Sequence, residues 1–126
     1  MVSFLTVMSH LILQTSLQPT QIHSRFSGLE SACPVFVKSW LASDQQELLL
    51  EIALPGQSQR EYLALRPLSG GQMILHLLRE GEALDYKQLQ PSLQGLLNWL
   101  KENDAQLKLL RHTFGQNVAL SPSSLS

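Results

Sequence analysis

The chain has 126 residues, with nine Lys and Arg against ten Asp and Glu and a formal net charge of −1. That length makes one ordinary domain, and a composition 44% hydrophobic and 15% charged belongs to a folded globule rather than a disordered chain. The basic residues are scattered singly from Arg25 to Arg111, without the excess or stripe that binding a phosphate backbone draws on, and the one cysteine, Cys33, excludes an intrachain disulfide frame.

A chain of this size buries roughly two-thirds of the surface its unfolded form exposes. With 27 Leu against four Phe, two Tyr and two Trp, aliphatic side chains must fill its core. Residues 1–33 support two readings. Phe4, Leu5, Met8, Leu11 and Ile12 fall at helical spacing behind Ser3, yet LILQTSLQ alternates as an edge strand would. Pro19 ends either element, SRFSGLES reads as a loop, and Met8 offers a second possible start. A signal peptide would need a basic leader and an unbroken apolar stretch. Here no charge precedes Arg25, and Ser9 and His10 interrupt the apolar residues. No run of ~20 apolar residues could span a membrane, so a cytoplasmic location is expected.

From Pro34 the period becomes two. PVFVKSWLAS (34–43) precedes a polar turn at 44–46 and then ELLLEIALPG (47–56). In the second run Leu48, Leu50, Ile52 and Leu54 point one way, and Glu47, Leu49, Glu51 and Ala53 the other, as in a half-buried antiparallel strand. REYLALRPLS (60–69) is the next strand. Gly70-Gly71 then suits a two-residue hairpin turn, with Leu68 opposite Met73, Arg66 opposite Leu75 and Ala64 opposite Leu77.

Residues 68–72, LSGGQ, resemble over five positions the signature loop of ATP-binding-cassette proteins. In that family the loop opens a helix and touches a nucleotide held by a partner domain. The companion features are a G-x-x-x-x-G-K-[ST] phosphate loop and an Asp-Glu pair ending an apolar strand, and this chain contains neither. The letters are therefore read as a turn.

Helical spacing follows. Leu89, Leu93, Leu96, Leu100, Asn103, Leu107 and Leu110 repeat at intervals of four and three. Pro91 suits a first turn, Asp85 and Gln88 are spaced as a capping box, and Lys101, Lys108, Arg111 and His112 suit the C-terminal end of the dipole. Gly115 is a stop signal, although ENDA could divide the helix near Asn103 and Asp104. The stripe is wide, with Leu97, Trp99 and Leu109 beside it, and it fits a core-facing helix better than a three-heptad coiled coil. Leu93, Leu96, Leu100 and Leu107 should pack on Leu48, Leu50, Ile52 and Leu54. Asn103 is either a register-setting polar residue or a helix break.

The expected architecture is a single α+β domain over residues 1–116, a small antiparallel meander of about four strands covered on one face by a C-terminal helix, with a Ser-rich tail at 117–126. His10, His23, His76 and His112 lack metal-ligand spacing, His76 reading as a histidine at the core edge. Cys33 lacks a local nucleophile signature, and the acidic cluster Glu80, Glu82 and Asp85 reads as a solvated turn. No catalytic residue, cofactor or metal ligand is assigned. By elimination the function expected is a non-enzymatic protein-interaction module: an adaptor, small subunit or assembly factor, with a homo-oligomer as another form of partner. The alternatives are a small enzyme or ligand-binding domain assembled only in three dimensions, and a nucleic-acid-associated regulator using the C-terminal helix.

Overall fold

The computed structural model describes residues 10–78 and 86–112. Strand β1 (His10–Gln14) is followed by two short helices, α1 (Pro19–Ser24) and α2 (Phe26–Ala32). A meander of β2 (Phe36–Leu41), β3 (Leu48–Ile52), β4 (Glu61–Leu68) and β5 (Gln72–Leu77) comes next. Helix α3 (Tyr86–Asn103) and strand β6 (Lys108–His112) complete the described chain. The strands form one antiparallel sheet in the order β2-β3-β4-β5-β1-β6, so β1 lies between the end of the meander and the last strand. The class is α+β, with six strands rather than about four.

Of the two added strands, β1 comes from a region the periodicity left open and β6 from residues expected to continue the helix. LILQ is an interior strand, because Leu11 and Leu13 align with Leu75 and Met73 and all four are buried. Pro19 begins α1 rather than ending an element, its missing N–H being harmless at the first helical position. The Gln18 N–H donates to Gln21 Oε1 at 2.8 Å, which satisfies one donor of the helix start. SRFSGLES (24–31) reads as a loop, but most of it lies in α2, whose single fully buried side chain, Leu29, shows how little apolar pattern it offered.

The long helix ends early. Its register of leucines runs through Leu89, Leu93, Leu96 and Leu100, but Leu107 and Leu110 lie beyond it. Asn103 Nδ2 donates to the Trp99 carbonyl at 2.8 Å, and Arg25 donates to Asn103 Oδ1 at 3.2 Å, so Asn103 closes the helix. The Asp104 carboxylate then accepts the Gln106 N–H at 3.1 Å, a local bond that favours a turn over another helical residue. Leu107 and Leu109 alternate as well as they repeat in heptads, and pairing with β1 decides in favour of the strand. Lys108, Arg111 and His112 are therefore strand residues, not helix-end cations. Pro91 sits inside the helix, not in its first turn. Gly115, the acidic cluster at 80–85, Asp85 of the capping box and the tail 117–126 lie outside the described residues.

All three helices pack on one face. Helix α1 crosses β2 to β4, α2 touches β2 and α3, and α3 joins the same core. A row of leucines in register, Leu48, Leu65, Leu75 and Leu11, crosses four strands with no exposure at any position. Each such burial contributes about 1.5–3 kcal/mol of transfer free energy. His23 Nδ1 lies 2.7 Å from Ser39 Oγ, which fixes α1 to the edge strand.

The β4–β5 hairpin differs from its expected register by one residue. Leu68 faces Gln72, Leu65 faces Leu75 and Arg66 faces Ile74, so the connection is the three residues Ser69, Gly70 and Gly71. Sliding by one residue changes the facing pairs, and it is the observed pairing that aligns leucine with leucine over the core. Gly70 and Gly71 have φ of 76° and 73°, where a β-branched side chain is strained. Gly70→Val should accordingly lower stability by ~1 kcal/mol or more. An unchanged urea midpoint would show that the turn tolerates a side chain there.

Candidate functional site

With the helices on one face, no described element covers the other. The alternation that buries Leu48, Leu50 and Ile52 turns Leu49 and Glu51 outward, and the same holds along each strand. Across the sheet these outward residues fall into rows. One row is Trp40, Leu49, Ala64, His76 and His10, each the pairing partner of the next. Beside it runs Arg66, Ile74, Ile12 and Arg111. On the opposite side Lys38 faces Glu51, and Glu51 faces Tyr62.

This outer face is unusually apolar for a solvated sheet. Ala64 is buried and His76 nearly so, while Leu49, Tyr62, Ile12 and Ile74 are half-buried. Trp40 is 47% exposed and Leu78, which follows β5, is 48% exposed. Lys38 Nζ stands 3.9 Å from the Trp40 ring centroid, a cation–π contact that orients the indole without covering it. Trp40, Leu49 and Leu78, with Leu41, Ala42 and Glu47, line a shallow cleft of about 250 Å³.

His76 also carries an electrostatic signature. Burial pushes its imidazole below the ordinary value of 6.5, Arg66 and His10 push the same way, and Glu47 opposes them. A lowered folded pKa means that the unfolded chain binds the proton more readily. Stability contributed by neutral His76 is therefore present above pH 6.5 and declines as pH falls from there toward the lowered folded value. His76→Gln should flatten this limb of the stability–pH curve between neutrality and mild acid; an identical slope in the variant would remove His76 as its source.

A second polar locus lies where β1 meets the turn after α3. Gln14, Thr15, Ser16, Gly71, Asp104 and Gln106 line an open groove of about 480 Å³. Asp104 Oδ2 accepts the Thr15 hydroxyl at 2.7 Å and the Ser16 N–H at 3.2 Å, and Oδ1 accepts the Gln106 N–H. Burial raises the carboxyl pKa, but these three donors and the Lys101 charge outweigh it and hold Asp104 below its ordinary value. Its oxygens are thus engaged in joining β1 to the turn before β6. That is the work of a structural staple, and a substrate would have to displace those bonds.

Cys33 offers no better nucleophile. It is half-buried against the core, and burial raises its thiol pKa, away from the thiolate that nucleophilic chemistry needs. Among the described residues no group of three or more His, Cys, Asp or Glu could hold a metal ion, and no helix is long and apolar enough to cross a membrane.

No protein-family model matches the chain, and no curated protein or solved structure matches it significantly. The functional reading rests on the surface itself.

Of the four histidines, His10 and His76 pair across β1 and β5, the backbone of His112 pairs on β6 with Leu11, next to His10, and His23 lies on α1. The LSGGQ residues close a hairpin, Leu68 ending β4 and Gln72 opening β5, and do not open a helix. Sequence reasoning did not single out Trp40, Ile12, Ile74 or Leu78. The available signal was the second face of each strand, where Leu49 and Ala53 already alternate with Glu47 and Glu51.

Proposed function

We propose that this protein is a non-enzymatic protein-interaction module, an adaptor, small subunit or assembly factor of a larger complex, that engages its partner with the outer face of the sheet. The observation carrying this reading is the combination of Ile12, Trp40, Leu49, Tyr62, Ile74 and Leu78 across five strands, on a face that no described element covers. A contiguous apolar surface rimmed by charged residues is costly to leave in water and is typical of recognition surfaces. Trp and Tyr supply large contact area for little side-chain entropy, which suits them to anchor such contacts.

The test is a paired measurement. Trp40→Ser with Leu78→Ser removes two exposed anchors, so the variant should unfold at nearly the wild-type urea midpoint. Tagged in its native cells, the wild-type chain should co-purify with a stoichiometric protein partner that the variant loses. Equal recovery of that partner by both chains would count against the outer face. The absence of any stoichiometric partner would count against the module.

A further inference from the structure

The outer face is divided by charge, and the division points to the chemistry of what it binds. On the β2–β3 side, Lys38 and Arg60 are mixed with Glu47 and Glu51, and Arg60 pairs with Glu51 at 3.7 Å. On the β4–β6 side, Arg66 and Arg111 stand at the two ends of one row, separated by Ile74 and Ile12 in register. Lys108 lies one position along, opposite Gln14. All three cations are exposed, and among the described residues none makes an ion pair. Glu47 stands just before β3, and Asp104 lies in the turn between α3 and β6. The latter is already held by Thr15, Ser16 and Gln106.

Resting on the reading of this face as an interaction surface, we propose that β4, β5, β1 and β6 dock an acidic segment of a partner protein. Its aliphatic side chains sit on Ile12 and Ile74, and its carboxylates reach Arg66 and Arg111. Three inter-strand steps separate the two arginines, so their backbones are roughly 14 Å apart. Arginine forks pair with carboxylates in two parallel bonds, and the isoleucines between them supply the apolar contact that fixes the segment's position. A nucleic-acid backbone is the less suited polyanion. It needs a longer run of cations than three, and the centre of this row is aliphatic where base stacking would call for aromatic rings.

The experiment selects from a displayed random-peptide library on the immobilised full-length chain, with Arg66→Glu/Arg111→Glu as the counter-target. Circular dichroism confirms that both chains are folded. Enriched peptides should carry Asp or Glu on both sides of aliphatic residues. A synthetic copy of the leading peptide should bind the wild type and weaken on raising salt. Its affinity for the charge-reversed variant should fall about tenfold or more, the scale of losing charge-assisted contacts. Replacing the peptide's acids by Lys should restore binding to that variant. Neutral or basic winners, binding indifferent to the reversal, or an empty selection would each overturn the proposal. So would a short DNA duplex that binds more tightly than any peptide and is lost in the same variant. If the native partner is lost with Trp40→Ser/Leu78→Ser yet retained by Arg66→Glu/Arg111→Glu, the interaction module stands and this partner chemistry falls.

Discussion

Leu96→Ala and Leu100→Ala should each lower the unfolding free energy of the monomer by about 2–5 kcal/mol, the range for deleting a buried leucine. Both side chains are at most 1% exposed and belong to the core shared with Leu48, Leu50 and Ile52. Transfer from water accounts for part of the loss, and the rest is the cavity left where neighbouring side chains cannot close in. Leu110, which continues the same four-and-three spacing, is 45% exposed on β6, so Leu110→Ala should change stability by no more than about 0.5 kcal/mol. Urea midpoints read this contrast directly, and sedimentation separates it from an effect on association. If Leu96→Ala and Leu100→Ala left the monomer as stable as the wild type while dissolving an oligomer, the stripe would be an interface and not a core.

Gly95→Ala should destabilise the protein by about 1–3 kcal/mol, even though alanine is the better helix former. A β-carbon at Gly95 would overlap Cys33 Sγ, whereas Cys33 Cβ is at an ordinary contact distance of 3.8 Å. The obstacle is thus a single sulfur atom. With Cys33→Ala in place, the same substitution should become stabilising by up to about 1 kcal/mol, because only the helix-propensity gain remains. The four chains form a double-mutant cycle whose coupling term has a sign fixed in advance. An identical cost of Gly95→Ala in both backgrounds would show that the sulfur moves aside freely and that the glycine serves another purpose.

How much of this was legible in the sequence depends on whether a local pattern had a competitor. Strands β2, β3 and β4 and the burial of Leu48, Leu50, Ile52 and Leu54 followed from alternation, since no helical template fits ELLLEI equally well. The end of α3 did not, because Leu107 satisfies both periods. What separates them is an Asx turn at Asp104 and a pairing with β1 more than ninety residues away. The glycine turn was legible as chemistry and misplaced by one residue, because Gly-Gly permits positive φ without stating where pairing begins. The candidate surface was the least legible. Arg66, Ile74, Ile12 and Arg111 are far apart along the chain, and they become neighbours only once β1 has been placed between β5 and β6.

That placement of β1 also has a consequence for how the chain reaches its fold. Its partners lie roughly sixty residues downstream on one side and roughly one hundred on the other. The meander β2–β5 closes through short loops, while β1 must wait for two long closures, each with an entropic cost that local pairing avoids. Folding should therefore nucleate in the β3–β5 hairpins, where substitutions slow the folding rate. Substitutions in β6 should chiefly accelerate unfolding. Until the last strand arrives, one side of β1 presents free N–H and C=O groups to any other extended chain, so the step that completes the sheet is also the one most exposed to pairing with the wrong molecule.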